Sequence, residues 1–271
     1  ARRFRRIQYH SHARGFVDTP RRTPEKIDGL HMLEGEADSV ETRYVKLPDI
    51  ELADSIDVSG ADVRPIWCGA TAAVTDVRAM AEAGFNSVRL PMHWRLFMED
   101  EPGITWRSEG FRIVDRFLDW CEKWGLYVVL DLHCAPGGQT GSNIDDSVDD
   151  IPRLFTDAMT EKTDAWHKTV ALWGEFARRY HDRAIVGMYD LLNEPIKMGD
   201  RLDLADRMRD LYRDCISEIR KYDKNHMISI EGHQWAANPY VFCEPYDDNV
   251  CFHFHRYWCP PRKRLLDMFL D

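Results

Sequence analysis

The stretch Tyr189-Asp190-Leu191-Leu192-Asn193-Glu194-Pro195 decides how this chain is read. Ile185 to Leu192 reads as a buried strand that stops at an Asn-Glu pair and a proline. Proline has no N–H to give to a sheet ladder, so the strand is expected to end there. An amide and a carboxylate are then left at the carboxyl end of an apolar strand. A glutamate between apolar walls is expected to have a raised pKa, because burial disfavours its charged form. A raised carboxyl suits a general acid.

Strand and helix signals alternate outward from this segment. Val74, Val77, Met80 and Ala81 make a helical stripe that closes near Gly84, and Phe85 to Pro91 reads as a strand. Phe111, Val114, Phe117, Leu118 and Cys121 make a second stripe, with Gly125 at its C-cap. Leu126 to Leu132 reads as the next strand. Trp166, Val170, Trp173, Phe176 and Tyr180 mark a third helix, and Leu204, Met208, Leu211, Cys215, Ile219 and Tyr222 a fourth. Met227 to Glu231 and Asn249 to His255 read as further strands, and Leu265, Leu266 and Phe269 open a last helix.

Such alternation with apolar strands means an α/β fold, a parallel sheet covered by helices. A doubly wound sheet would also satisfy it, but no GxGxxG or GxxxxGK[ST] follows any strand. Instead, five consecutive strands end in polar residues: Arg89, then Asp131 and His133, then Asn193 and Glu194, then Glu231, then His255. Polar groups delivered repeatedly at one end are the pattern of a (β/α)8 TIM barrel. Residues 71–271 are therefore read as barrel. Residues 1–70 are poorly patterned, with a first strand expected near Gly29 to Leu33 and an insertion or loop over 34–70.

The chain has 271 residues, 44% of them hydrophobic, and a net charge of −10. That charge argues against nucleic acid as the main partner. No run approaches the length of a membrane span, so none is predicted. The first 26 residues are basic by contrast, and read as a solvated terminus rather than a binding arm. Seven cysteines without a CxxC pair read as reduced, mostly buried thiols, which leans towards the cytoplasm. Ala1 is followed by no signal-peptide apolar region, so a processed start or a fragment is expected.

Glu194 is the first catalytic candidate. With Asn193 beside it, the amide would hold a substrate hydroxyl while the acid protonates a leaving group, as glycoside hydrolysis requires. Arg89, inward at a strand end, needs a carboxylate partner, because an unpaired buried charge is costly. His133 stands before Gly137-Gly138, where the backbone can turn and approach a ligand closely. His253, His255 and Tyr257 would share one face of the last strand, with His253 the deeper, core histidine. His133, His233, His253 and His255 also suggest a metal site, but without HExxH or an evident carboxylate set no metal ligand is assigned. Trp94, Trp235 and Trp258 each follow a strand and offer aromatic faces to sugar rings.

Five segments then carry a family resemblance. They are Gly84 to Pro91, Leu130 to Gln139, Leu192-Asn193-Glu194-Pro195, Ile230-Glu231-Gly232 with Trp235, and His255-Arg256-Tyr257-Trp258. In this order they resemble glycoside hydrolase family 5, the cellulase family of retaining β-glycosidases, over residues from about 70 to 260. The match from Ala135 through Ser147 is similar to a bacterial cellulase-like subgroup. The resemblance implies an eight-stranded barrel with Glu194 as acid/base. It makes Arg89, His133, Asn193, Trp235, His255 and Tyr257 substrate-binding or active-site residues. The implied substrate is a β-linked glucan oligo- or polysaccharide, cut without a cofactor.

The family's nucleophile ends the seventh strand. By the family's count the strand over Asn249 to Tyr257 is the sixth, so the nucleophile and the last two strands are expected beyond Asp271. Glu231 is the internal alternative. A non-catalytic carbohydrate-binding barrel and a metal-dependent hydrolase are the competing readings.

Overall fold

The computed structural model describes residues 55–56, 72–158, 160–199, 203–242 and 246–255. The expected first strand near Gly29, the last helix, Tyr257 and Trp258 lie outside these residues. Two short strands, β1 (Ser55–Ile56) and β2 (Ala72–Ala73), pair antiparallel. After α1 (Val74–Glu82) comes β3 (Ser87–His93), then α2 (Ser108–Trp124) and β4 (Tyr127–Cys134). A short α3 (Arg153–Thr156) and the longer α4 (Asp164–Tyr180) lead to β5 (Val186–Asp190). Then follow α5 (Leu204–Tyr222), β6 (Met227–Glu231) and β7 (Val250–His253).

The sheet order is β3-β4-β5-β6-β7, and every pairing in it is parallel. Each strand thus lies beside the one before it, as in a (β/α) barrel. A doubly wound sheet reverses its order at a switch point, and no reversal occurs among the described strands.

Two strand boundaries depart from expectation. β3 runs through Pro91, which pairs with Asp131, and ends at His93. β3 has one partner among the described strands of this sheet, so a residue whose missing N–H faces away removes no ladder bond. A register shift follows at Met92/His93. β5 ends at Asp190, earlier than expected, although Leu191 N–H still donates to the Ser229 carbonyl at 3.1 Å.

The alternation of side chains along β5 separates core from site. Tyr189 points towards the helices, with its ring 5.9 Å from that of Trp173 and its hydroxyl donating to Asp223 Oδ2 at 2.7 Å. Asp190 points the other way, to Arg89. The helix side is aromatic: Phe97, Phe111 and Phe176 meet with centroids 4.9–5.8 Å apart. In α2 the predicted stripe is buried, and Gly125 closes the helix at φ 71° with its N–H on the Cys121 and Glu122 carbonyls. In α5 the stripe is buried up to Ile219, but Tyr222 in the last turn is exposed.

Candidate active site

Arg89 organises the carboxyl ends of the strands. Its side chain is buried and reaches four neighbours from three following strands and their loops. Nη1 lies 3.0 Å from Asp131 Oδ2, and Nη2 lies 2.8 Å from Asp190 Oδ2 and 3.0 Å from Glu231 Oε1. Both Nη atoms donate to Asn193 Oδ1 at 3.2 Å. Burial alone would weaken the guanidinium's charge, but Asp131, Asp190 and Glu231 together raise its pKa further above its already high value. The carboxylate partner that Arg89 required is therefore a set of three, one from each of β4, β5 and β6.

Two histidines add to the positive side of the cluster. His253 Nδ1 lies 3.2 Å from Glu231 Oε1 and 3.5 Å from Asp190 Oδ2. His255 joins two glutamates: Nδ1 is 2.6 Å from Glu194 Oε1 and Nε2 is 3.3 Å from Glu231 Oε1. Burial opposes charging of both rings, but the carboxylates outweigh it. His253 is raised to about 9 and His255 to about 10, with Glu231 the leading carboxylate in each case. Glu231, despite its burial, is held well below the usual carboxylate range by His255 and His253. Asp131 goes the other way, because burial outweighs its pairing with Arg89 and His133.

Glu194 sits just past β5 with a nearly buried side chain. Its carboxyl is met by His255 Nδ1 rather than by the apolar wall the sequence suggested, because β7 brings a polar residue alongside. Asn193 is fixed by Arg89 on Oδ1, which leaves Nδ2 as the end able to donate to a ligand hydroxyl. His133 points at the same cluster, with Nδ1 2.9 Å from Asp131 Oδ2.

Trp235 is 36% exposed and lies in a turn where Gln234, Trp235 and Ala236 all have positive φ. The loops after β4, β5 and β6 and the end of β7 are stitched together by backbone bonds. Ile196 N–H donates to the Gln139 carbonyl, Trp235 N–H to Ile196, and His255 N–H to Ala236, at 2.9–3.2 Å. Trp94 does not offer a stacking face. It is 3% exposed, its indole N–H donates to Asp146, and the charged ends of Arg95 and Lys168 lie 5.0 and 5.2 Å from its ring centre.

Arg89, His133, Asn193, Glu194 and His255 are thus brought together. The residues that sequence reasoning underused are Asp190 and Gln139. Asp190 carried a signal, as a charged residue inside an otherwise apolar strand.

Of the four histidines considered for a metal, His253 and His255 come together with each other and a carboxylate, whereas His133 pairs singly with Asp131. With Glu231 their ligand atoms fall within 4.8 Å of one another. Arg89 already occupies the same Glu231 oxygen, and raised imidazoles carry protons where a metal needs lone pairs. This donor set suits internal ion pairing better than a cation. His233 is fully buried and stands apart from the set, next to Tyr240. Glu231 is fully buried, with Oε1 on Arg89 and Oε2 accepting the Glu194 N–H at 2.7 Å. A carboxylate bound in this way is not presented as a nucleophile.

Comparison with known proteins identifies the arrangement. The family model described as "Cellulase (glycosyl hydrolase family 5)" matches residues 47–261. A beta-xylosidase of Phanerodontia chrysosporium is 32% identical over 184 residues, which are 67% of this chain and 37% of that protein. Endoglucanase C of Acetivibrio thermocellus is 27% identical over 184 residues, 67% of this chain and 49% of that protein. The crystal structure of endoglucanase Cel5A from Thermotoga maritima superposes with a TM-score of 0.56 at 23% identity, covering 70% of this chain and 55% of that one. The matched part spans roughly a third to a half of these curated relatives. With its parallel strands in sequential order and its polar groups gathered at their carboxyl ends, the chain belongs to glycosyl hydrolase family 5, the cellulase family.

Proposed function

We propose that this chain provides the acid/base half of a retaining β-glucan hydrolase site, with Glu194 as proton donor and then general base. The observation that carries the reading is the Asn193-Glu194 pair, held at the mouth by Arg89 on one residue and His255 on the other. Such a pair can grip a sugar hydroxyl with the amide while the neighbouring carboxyl protonates the departing oxygen. A β-linked glucan is the proposed substrate, in keeping with the endoglucanases and glucan 1,3-beta-glucosidases among the relatives. Trp235 and Tyr257 would add binding surface.

A retaining mechanism needs a second carboxyl about 5–5.5 Å from the first. Asp131, Asp190 and Glu231 are fully buried and bound to Arg89, so the reading places the nucleophile outside the described residues.

The test is hydrolysis of a β-glucan oligosaccharide and of activated aryl glucosides by Glu194→Ala in the complete protein. Loss of the carboxyl should abolish turnover of the oligosaccharide, a poor leaving group. Covalent trapping by substrates with good leaving groups should persist. Full activity of Glu194→Ala on the oligosaccharide would refute the assignment, and sugar binding without turnover by the unaltered protein would favour a binding barrel.

A further inference from the structure

The peptide unit joining Asn193 to Glu194 is gripped at both poles by buried side chains. Its carbonyl, Asn193 C=O, accepts from Gln139 Nε2 at 2.9 Å. Its N–H, on Glu194, donates to Glu231 Oε2 at 2.7 Å. Neither Gln139 nor Glu231 has measurable exposure. Glu194 itself has φ 45°, in the left-handed region that a residue with a Cβ seldom occupies. Such a conformation persists only where the surroundings over-determine it.

The dihedral in question turns about the bond between Glu194 N and Cα. Fixing the preceding peptide plane therefore fixes one side of that rotation. Relaxing φ to the usual negative range would swing the Glu194 side chain away from His255, its partner at 2.6 Å. We infer that Gln139 and Glu231 are positioning residues, a two-sided clamp on this peptide that aims the Glu194 carboxyl at the scissile oxygen. The inference rests on the reading of Glu194 as the acid.

Gln139 is itself braced. Its Oε1 accepts from Ala135 N–H at 3.0 Å, and its second amide proton goes to the His133 carbonyl at 2.7 Å. Its backbone N–H donates to Asp145 Oδ2 at 2.6 Å, and its carbonyl accepts from Ile196 N–H at 2.9 Å. Asp145 also accepts from Thr140 and Ser147 N–H, so the loop after β4 is a rigid mount for the amide. Glu231 is anchored through Oε1 to Arg89, which leaves Oε2 for the peptide. The clamp thus ties the acid to β4 on one side and β6 on the other.

A misaimed acid has a kinetic signature that general loss of structure does not. Protonation matters for a poor leaving group and hardly at all for one that departs as a stable anion. In a retaining enzyme, kcat/KM reports the step that forms the glycosyl-enzyme.

The experiment compares Gln139→Met, Glu194→Gln and the unaltered complete protein on phenyl and 2,4-dinitrophenyl β-cellobiosides. For Gln139→Met, kcat/KM should fall about 5- to 150-fold on the phenyl substrate, the rate equivalent of losing one hydrogen bond to a buried group. On the dinitrophenyl substrate kcat/KM should hold within about 3-fold while kcat falls, because base catalysis of the second step is also misaimed. Equal falls in kcat/KM on both substrates, or no fall, would overturn the clamp. If Glu194→Gln itself lacks the leaving-group dependence, the acid assignment fails and the clamp with it. If Glu194→Gln shows it and Gln139→Met does not, only the clamp fails. Should Gln139→Met not fold, Gln139→Asn, whose amide is one carbon too short to keep its bond to the Asn193 carbonyl, carries the same comparison.

Discussion

Arg89 stands among buried charge at the carboxyl ends of the strands. Among the described residues it is the guanidinium that touches Asp131, Asp190 and Glu231, all fully buried. A buried ion pair contributes little net stability compared with an apolar substitute for the whole set, but removal of one member leaves charges stranded. Arg89→Met should therefore cost about 3–5 kcal/mol of unfolding free energy, the range for a broken buried pair. Urea denaturation would check it, and a shift under about 1 kcal/mol would show that solvent reaches the carboxylates. The need for a carboxylate near Arg89 was legible from its place in Val88-Arg89-Leu90. Which carboxylates, and that there would be three, was not, because they come from strands separated by tens of residues. Glu194 was legible as the acid candidate, but its left-handed backbone was not. Nothing in Asn-Glu-Pro requires φ 45°, and the cause lies in side chains from two other strands' ends.

Helix and strand boundaries answer to local chemistry where a cap is involved and to neighbours where it is not. Thr163 caps α4 with its hydroxyl accepting from Trp166 N–H at 3.3 Å. Thr163→Ala should cost about 1 kcal/mol, read as a lower thermal midpoint with the site's kinetics unchanged. Gly110 near the start of α2 tests a competition. Alanine is favoured over glycine inside a helix by about 1 kcal/mol. A Cβ at Gly110, however, would lie 2.2 Å from the backbone carbonyl oxygen of Leu96, which cannot rotate away. Overpacking of that kind costs about 1–3 kcal/mol. Gly110→Ala should therefore be net destabilising, and a raised urea midpoint would show that the Leu96 turn yields. Capping glycine and apolar stripes made α2, α4 and α5 readable. Pro91 misled, because proline marks a strand end only where its missing N–H was needed, and pairing partners are not visible in one strand's sequence.

For the molecule as a whole, the cluster couples folding to pH. His253 and His255 are raised from 6.5 to about 9 and about 10 by neighbouring carboxylates that exist only when β5, β6 and β7 are assembled. The folded state therefore binds protons that the unfolded chain has released. Their stabilising contribution is complete below about pH 6.5 and is lost as pH rises through about 9 and 10. Denaturation followed from pH 6 to 10.5 should show stability falling across that window, with a shallower fall in His253→Gln. A profile flat to pH 10 would mean that neither ring is charged in the folded protein.

By itself the sequence determined the alternation of strands and helices, the polar residues closing each strand, and the ordered segments that carry the family resemblance. These are properties of period, cap and short motif, and they are local. Tertiary structure alone decided that Arg89 would serve three carboxylates, that His255 would stand between Glu194 and Glu231, and that Trp94 would be buried while Trp235 faced solvent. Each of those facts depends on the register and spacing of parallel strands. A parallel pair needs a long crossover connection rather than a short turn, so its register is set by packing across the whole domain.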